Sequence, residues 1–95
     1  MPFDDEALIA RHIVQDPHKL GPVEVRLRDS GVSVWAVIGQ LVVHDGDVAL
    51  AAADYELSDE EMAAALAYFR WHKEIIEARL SENAGGEVVR VPVPV

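Results

Sequence analysis

The chain has 95 residues and a mass of 10.4 kDa, which is the size of one domain. Hydrophobic residues make up 51% of it and cysteine is absent, so the composition excludes disorder of most of the chain, a disulfide framework and any site that needs a thiolate. The 17 acidic residues outnumber the 8 lysines and arginines and give a formal net charge of -9, which argues against nonspecific binding to nucleic acid or to an anionic membrane surface.

The N-terminal segment, Met1–Glu6, is acidic where a secretory signal peptide would be basic. No apolar run in the sequence approaches the roughly 20 residues that a membrane-spanning helix needs. We therefore expect a soluble cytoplasmic protein.

The first predicted helix follows Asp4 and Asp5, which can cap it, and stops at Asp16-Pro17. Its apolar positions are Ala7, Leu8, Ile9, Ile13 and Val14. Residues 23–28 then alternate strictly between apolar and charged side chains, which predicts a strand with one buried face.

Two further short helices are predicted in the middle of the chain. Ser33 lies at the N-cap position ahead of residues 34–42, where β-branched residues leave a strand as the alternative. The spacing of Trp35, Ile38 and Val42 by three and four residues favours the helix. A turn at residues 44–47 ends at a second capping residue and predicts a helix over residues 48–55.

The clearest signal is a capping box at residues 58–61, where the Ser58 hydroxyl and the Glu61 carboxylate can each bond the backbone amide of the other residue. It predicts a continuous helix from Asp59 to about Asn83, closed by Gly85-Gly86. At about 1.5 Å per residue this helix is about 37 Å long. We therefore expect it to overhang a domain whose radius of gyration is about 13 Å.

This helix carries two apolar stripes. The first stripe is Met62, Leu66, Phe69, Ile76 and Leu80, and the second is Ala64, Tyr68, Trp71, Ile75 and Ala78. Both can be buried within one subunit, but an overhanging helix favours packing of the second stripe against another copy of the chain. We therefore predict a homodimer with Tyr68, Trp71 and Ile75 as candidate interface residues.

Residues 1–83 are predicted to form a single domain, and residues 84–95 an extended tail. The alternating prolines of the tail exclude a helix and a central strand, which leaves an edge strand or a polyproline-like segment. Such a segment can add to the sheet edge of another protein, so Val89, Arg90 and Val91 are candidate partner-binding residues. Disorder and docking on the chain's own dimer are the alternatives.

The short helix ending near Tyr55, the turn and the capped helix that follows have the outline of a helix-turn-helix. A family resemblance is based on a set of short stretches along the chain: Val34-Trp35, Gly46, Ala52-Ala53-Asp54-Tyr55, Leu57-Ser58, Glu60-Glu61 and Ala64-Ala65-Leu66-Ala67-Tyr68. Over about residues 16–71 the chain resembles the family catalogued as domain of unknown function four-three-three, whose members are small bacterial and archaeal helix-turn-helix proteins. The resemblance implies an antitoxin-like protein that binds and neutralises a PIN-like nuclease toxin and represses its own operon.

The charge of the chain favours the protein-binding half of that role. The helix that would enter the DNA major groove begins with the carboxylates of residues 59–61, which repel phosphate. Arg26 and Arg28 form the densest positive pair and are candidate contacts for a partner's acidic groups or for phosphate, with salt bridges inside the chain as the alternative. We predict an antitoxin-like protein that binds a basic partner through its acidic face and its tail. The alternative is a dimeric DNA-binding regulator.

No catalytic, cofactor or metal site is predicted. The four histidines lack the spacing of a metal-binding motif and are interpreted as surface or half-buried packing residues; they are His12, His18, His44 and His72. No nucleophile elbow, phosphate-binding loop or paired-carboxylate motif is present. The expected fold is mainly α with minor β, with a helix-turn-helix (winged-helix-like) core, one or two short strands and a long C-terminal helix.

Overall fold

The chain folds into five helices and one small antiparallel sheet in a computed structural model that describes residues 4–92. In chain order the elements are α1 (Asp5–His12), β1 (Ile13–Gln15), β2 (Val25–Leu27), α2 (Val34–Val43), α3 (Val48–Asp54), α4 (Asp59–Trp71) and α5 (Lys73–Asn83). The prediction of a mainly α fold with minor β is confirmed. No helix within residues 4–92 has both the length and the apolar character needed to cross a membrane.

Helix α4 lies at the centre of the hydrophobic core. It contacts α1, α2, α3, α5 and β1. Its buried residues are Met62, Ala64, Ala65, Ala67, Tyr68 and Phe69, and α2 adds Val34, Val37, Ile38 and Leu41. Because three of the buried residues of α4 are alanines, the surrounding elements can approach its backbone closely.

The prediction for the first helix is wrong at its C-terminal end. Helix α1 stops at His12, and Ile13–Gln15 form β1, which pairs antiparallel with β2. Ile13 lies opposite Leu27 in this pairing. Ile13 and Val14 are β-branched and therefore suit a strand, so pairing with an available partner strand overrides their helical spacing.

The predicted continuous helix over residues 59–83 is also wrong, because it breaks at His72. This residue has φ -134° and ψ 37°, which lies outside the helical region and separates α4 from α5. The break lets α5 pack against α2, where Ile76 is buried and Leu80 lies against Gly39. The longest dimension of the fold is 35 Å, and the predicted overhang is absent from it.

An ion pair fixes α5 against the loop between β1 and β2. Arg79 donates to Glu24 Oε2 at 2.5 Å, and its guanidinium lies 5.5 Å from the ring centroid of Trp35. The hydrogen bond from Arg79 holds the pKa of Glu24 below its ordinary value. The Tyr68 hydroxyl donates to the carbonyl of Pro22 in the same loop, so α4 and α5 both hold it.

The predicted capping box at the start of α4 is confirmed. The Ser58 hydroxyl accepts from the Glu61 amide, and the Glu61 carboxylate accepts from the Ser58 amide. Asp47 caps α3 by accepting from the Leu50 amide. Ser33 occupies the N-cap position of α2 without a side-chain hydrogen bond to the helix.

The tail docks on its own subunit over the part that the structure describes. The Val89 amide donates to Ser81 Oγ at 2.9 Å, and the Val91 amide donates to Glu77 Oε2 at 3.0 Å. Residues two apart in an extended segment and four apart in a helix are both separated by about 6 Å, so the two amides match the two acceptors on α5. Residues 93–95, which the tail prediction also covers, lie outside the described residues.

Candidate protein-binding surface

Carboxylates are concentrated in one stretch of chain, residues 45–61, which we call the acidic surface. It comprises the α2–α3 turn, α3, the α3–α4 turn and the first helical residues of α4. Seven carboxylates and no lysine or arginine belong to it: Asp45, Asp47, Asp54, Glu56, Asp59, Glu60 and Glu61. Most of these residues are exposed, so this stretch of chain presents negative charge to solvent.

Glu60 joins the start of α4 to the end of α1. Its Oε1 lies 2.7 Å from Nε2 of His12 and 2.8 Å from Nη1 of Arg11. The hydrogen bond with His12, followed by that with Arg11, holds the pKa of Glu60 below its ordinary value. The carboxylate also lies at the positive end of the α4 dipole and its partners at the negative end of the α1 dipole, so both helix ends are stabilised.

Asp54 joins α3 to α2. Its Oδ2 lies 2.7 Å from Nε2 of His44 and also accepts from the side-chain amide of Gln40. The hydrogen bond with His44, followed by that with Gln40, holds the pKa of Asp54 below its ordinary value. A carboxylate in the last turn of a helix is unfavourable to the helix dipole, and these two partners offset that cost.

Two exposed carboxylates occupy positions at which the fold favours glycine. Helices α2 and α3 each end in a Schellman motif, in which the amides of Gly46 and Leu57 bond back to carbonyls of the last helical turn. The residues just before these amides are Asp45 and Glu56, with φ of 53° and 55°. The long side chain of Glu56 is strained in this left-handed conformation, which aspartate tolerates more readily, and a carboxylate at either position is repelled by the negative end of a helix. The two acids therefore do not stabilise the turns that contain them.

An apolar groove runs between α3 and α4, and its one carboxylate-bearing lining residue is Asp59. Its volume is about 420 Å³, and it is lined by Val48, Ala49, Ala52, Asp59, Met62, Ala63 and Leu66. Ala49 and Ala52 face the groove from α3, and Ala63 faces it from α4. Because these side chains are short, the two helices do not close the space between them. We call this feature the α3–α4 groove.

The residues predicted for a dimer interface do not form one exposed surface. Tyr68 is 6% exposed and belongs to the core, where burial raises the pKa of its hydroxyl. Ile75 is half-buried. Trp71 is 54% exposed, and its indole N–H donates to Asp5 Oδ2 at 3.3 Å. Of the three candidates, only Trp71 presents a large apolar surface to solvent.

The residues predicted to contact a partner, the two arginines near β2 and the tail residues 89–91, are partly occupied in contacts within the subunit. Arg28 donates its Nε to the carbonyl of Arg11 at 3.0 Å, at the C-terminal end of α1. Arg26 is half-buried on β2. The tail candidates Val89, Arg90 and Val91 are half-buried, exposed and buried, respectively.

His12 and His44 serve contacts between elements, whereas His72 contacts a residue one turn earlier on α4. His12 and His44 pair with carboxylates as described above, and the ring of His72 lies 4.2 Å from that of Tyr68 at the break between α4 and α5. No group of three or more metal-ligating side chains occurs within residues 4–92.

Sequence reasoning missed both the groove and the strained acids. The signal for the strained acids was an acidic residue just after each of two predicted helix ends. The signal for the groove was a set of alanines on two consecutive helices. Neither signal is specific without the helix ends and the packing angle being known.

Replacing Glu56 by glycine should stabilise the protein by about 0.5–1 kcal/mol, because the change removes a left-handed side chain and a carboxylate at a helix C-terminus. Ala53→Gly is the matched control inside α3 and should destabilise by about 1 kcal/mol. Urea denaturation of both variants measures the difference. A loss of stability in Glu56→Gly would contradict the assignment of strain to this residue.

Glu60→Gln should lower the free energy of unfolding at neutral pH more than Asp59→Asn, which removes the same charge from the same helix end but breaks no ion pair within residues 4–92. The pKa of Glu60 is lower in the folded state than its ordinary value of 4.5. The contribution of its carboxylate to the free energy of unfolding is therefore fully present above pH 4.5 and is lost as the pH falls through the folded-state pKa. Denaturation curves from neutral to acidic pH test this. The gap between Glu60→Gln and the parent chain should close at acidic pH, and a gap independent of pH contradicts it.

Comparisons with known proteins return no family model, no curated protein and no solved structure that matches this chain. The resemblance to the domain of unknown function four-three-three family therefore stays a prediction from the residues, and a function has to be argued from the surface itself.

Proposed function

We propose that this chain is a small, non-enzymatic, antitoxin-like protein that acts by binding a basic partner protein. The observation that carries the proposal is the pair of exposed carboxylates at Asp45 and Glu56, which stand where glycine would serve the fold better. A protein that keeps strained residues on its surface gives up stability, and such residues commonly belong to functional sites. Because the surrounding residues 45–61 include no lysine or arginine, the partner is expected to be basic.

A nuclease is a partner of suitable chemistry, since its substrate-binding surface holds phosphates with lysine and arginine. The acidic surface would bind these cations in place of phosphates and thereby exclude the nucleic acid. The resemblance to the domain of unknown function four-three-three family points to the same class of partner, a PIN-like nuclease toxin.

The alternative function is a dimeric DNA-binding regulator, and the arrangement of α3, the turn and α4 is the observation that favours it. Two features weigh against it. The end of α4 that would enter the DNA major groove carries three carboxylates, those of Asp59, Glu60 and Glu61. The rest of α4 is largely enclosed by other elements. Like charges at this end would reduce the affinity for DNA.

We also propose that the chain dimerises, with Trp71 as the remaining interface candidate, because Tyr68 lies in the core. An exposed indole of this size is a frequent anchor of protein interfaces. Sedimentation equilibrium at micromolar concentration tests it: a monomeric mass removes the dimer from the proposal and leaves the partner-binding function intact.

Co-expression with the tagged product of the adjacent gene tests the proposed function, because antitoxins and toxins are commonly encoded together. We expect a stable complex that weakens with increasing salt and that suppresses any nuclease activity of the partner. The double variant Asp45→Asn/Glu56→Gln should weaken this complex by about tenfold, which is about 1.4 kcal/mol.

The matched control is Glu74→Gln/Glu87→Gln, which removes two exposed carboxylates outside the acidic surface. Equal weakening by the two double variants would show that net charge, and not the acidic surface, governs binding. Tight, salt-sensitive binding of the chain alone to its promoter region in a gel shift would favour the DNA-binding regulator instead.

A further inference from the structure

The α3–α4 groove exposes apolar surface that the other described residues, within 4–92, leave open. Met62 lies at its base and is 2% exposed, whereas Val48, Ala52, Ala63 and Leu66 are half-buried along its walls. Burying such surface against a partner's aliphatic side chains is favourable in proportion to the area removed from water. The groove thus offers a source of affinity that is independent of the charges around it.

The charges around the groove define what can enter it. Asp59 belongs to the lining, and Asp47 directly precedes the lining residue Val48. No lysine or arginine lines the groove. Arg11 is bound to Glu60, the residue that follows the lining residue Asp59 in the chain. A segment that combines apolar side chains with lysine or arginine is therefore complementary to the groove in both respects.

The dimensions of the groove favour a helix as its occupant. Its lining on α4 extends from Asp59 to Leu66, which is about 10 Å along the helix axis and equals about two turns. A cleft between two helices accepts the apolar stripe of an amphipathic helix, whereas the addition of a β-strand requires the open edge of a sheet. The β1–β2 sheet does not line this groove.

We propose that the α3–α4 groove is the docking site for a basic amphipathic helix of the partner protein, whose apolar side chains enter the groove while lysines or arginines contact the carboxylates beside it. This inference rests on the proposed function and names the part of the partner that is recognised. A second copy of this chain is a poor occupant, because it carries the same charge of -9. The tail of the chain is docked elsewhere, on α5.

The test uses the full chain, labelled with ¹⁵N, and a synthetic helical peptide of four turns with leucine and lysine in an amphipathic pattern. A second peptide of the same composition, with the leucines spread around the helix, is the peptide control. We expect the amphipathic peptide to shift the amide resonances of residues 48–52 and 59–66. The control peptide should bind more weakly by about tenfold.

Two variants separate the groove from the overall charge. Ala49→Lys places a long cationic side chain at the mouth of the groove, and Ala78→Lys makes the same change at an exposed position of α5. Both alanines are exposed and helical, and lysine is a good helix former, so both variants should fold. Ala49→Lys should weaken peptide binding about tenfold more than Ala78→Lys.

Equal weakening by the two variants, equal binding of the two peptides, or resonance shifts confined to other elements would each overturn the groove as the docking site. These results are distinguishable from failure of the proposed function. A complex with the partner protein that forms equally well with the Ala49→Lys variant would leave the function standing and refute the groove. The absence of any complex with the parent chain would refute the function.

Discussion

The burial of α4 is the constraint on which the rest of the structure depends. A chain of 95 residues without disulfides has one core, and every element has to bury its apolar face against the same centre. Helix α4 provides that centre because its short side chains, Ala64, Ala65 and Ala67, let its neighbours approach from several sides. The break at His72 follows from the same constraint, since it returns Ile76 to the core instead of leaving it on an overhanging helix.

In this arrangement, most arginines hold elements of the fold together, whereas most carboxylates of residues 45–61 face solvent. Arginines outside the acidic surface bond the fold together: Arg28 bonds the end of α1, Arg70 pairs with Asp5, and Arg79 pairs with Glu24. Between residues 29 and 69 the chain has no lysine or arginine. Within the described residues, Glu60 is the one carboxylate of the acidic surface that pairs with an arginine, and Asp54 bonds His44. The negative charge is thus local rather than spread evenly, and it lies beside an apolar groove. A surface of this kind combines electrostatic steering with a place to bury apolar side chains.

Local signals in the sequence predict much of this fold, and long-range packing decides the remainder. The capping box at Ser58 and Glu61 and the alternation around Val25 and Leu27 are properties of a few neighbouring residues, and both appear in the structure. The strand at Ile13 depends on a partner strand more than ten residues away. No glycine or proline near His72 signals the helix break in the sequence, and the break depends on the packing of α5 against α2. For the candidate site, the excess of carboxylates and the acids of residues 59–61 were evident from residue types alone. The α3–α4 groove was not, because it depends on how closely α3 and α4 approach.

Hydrogen exchange, measured on the chain alone and in complex with the proposed partner protein, tests the docking surface most directly. We expect slowed exchange on binding to be concentrated in residues 45–66, which contain the acidic surface and the α3–α4 groove. Protection confined to β2, to the surface around Trp71 or to the tail, with residues 45–66 unchanged, would contradict this expectation.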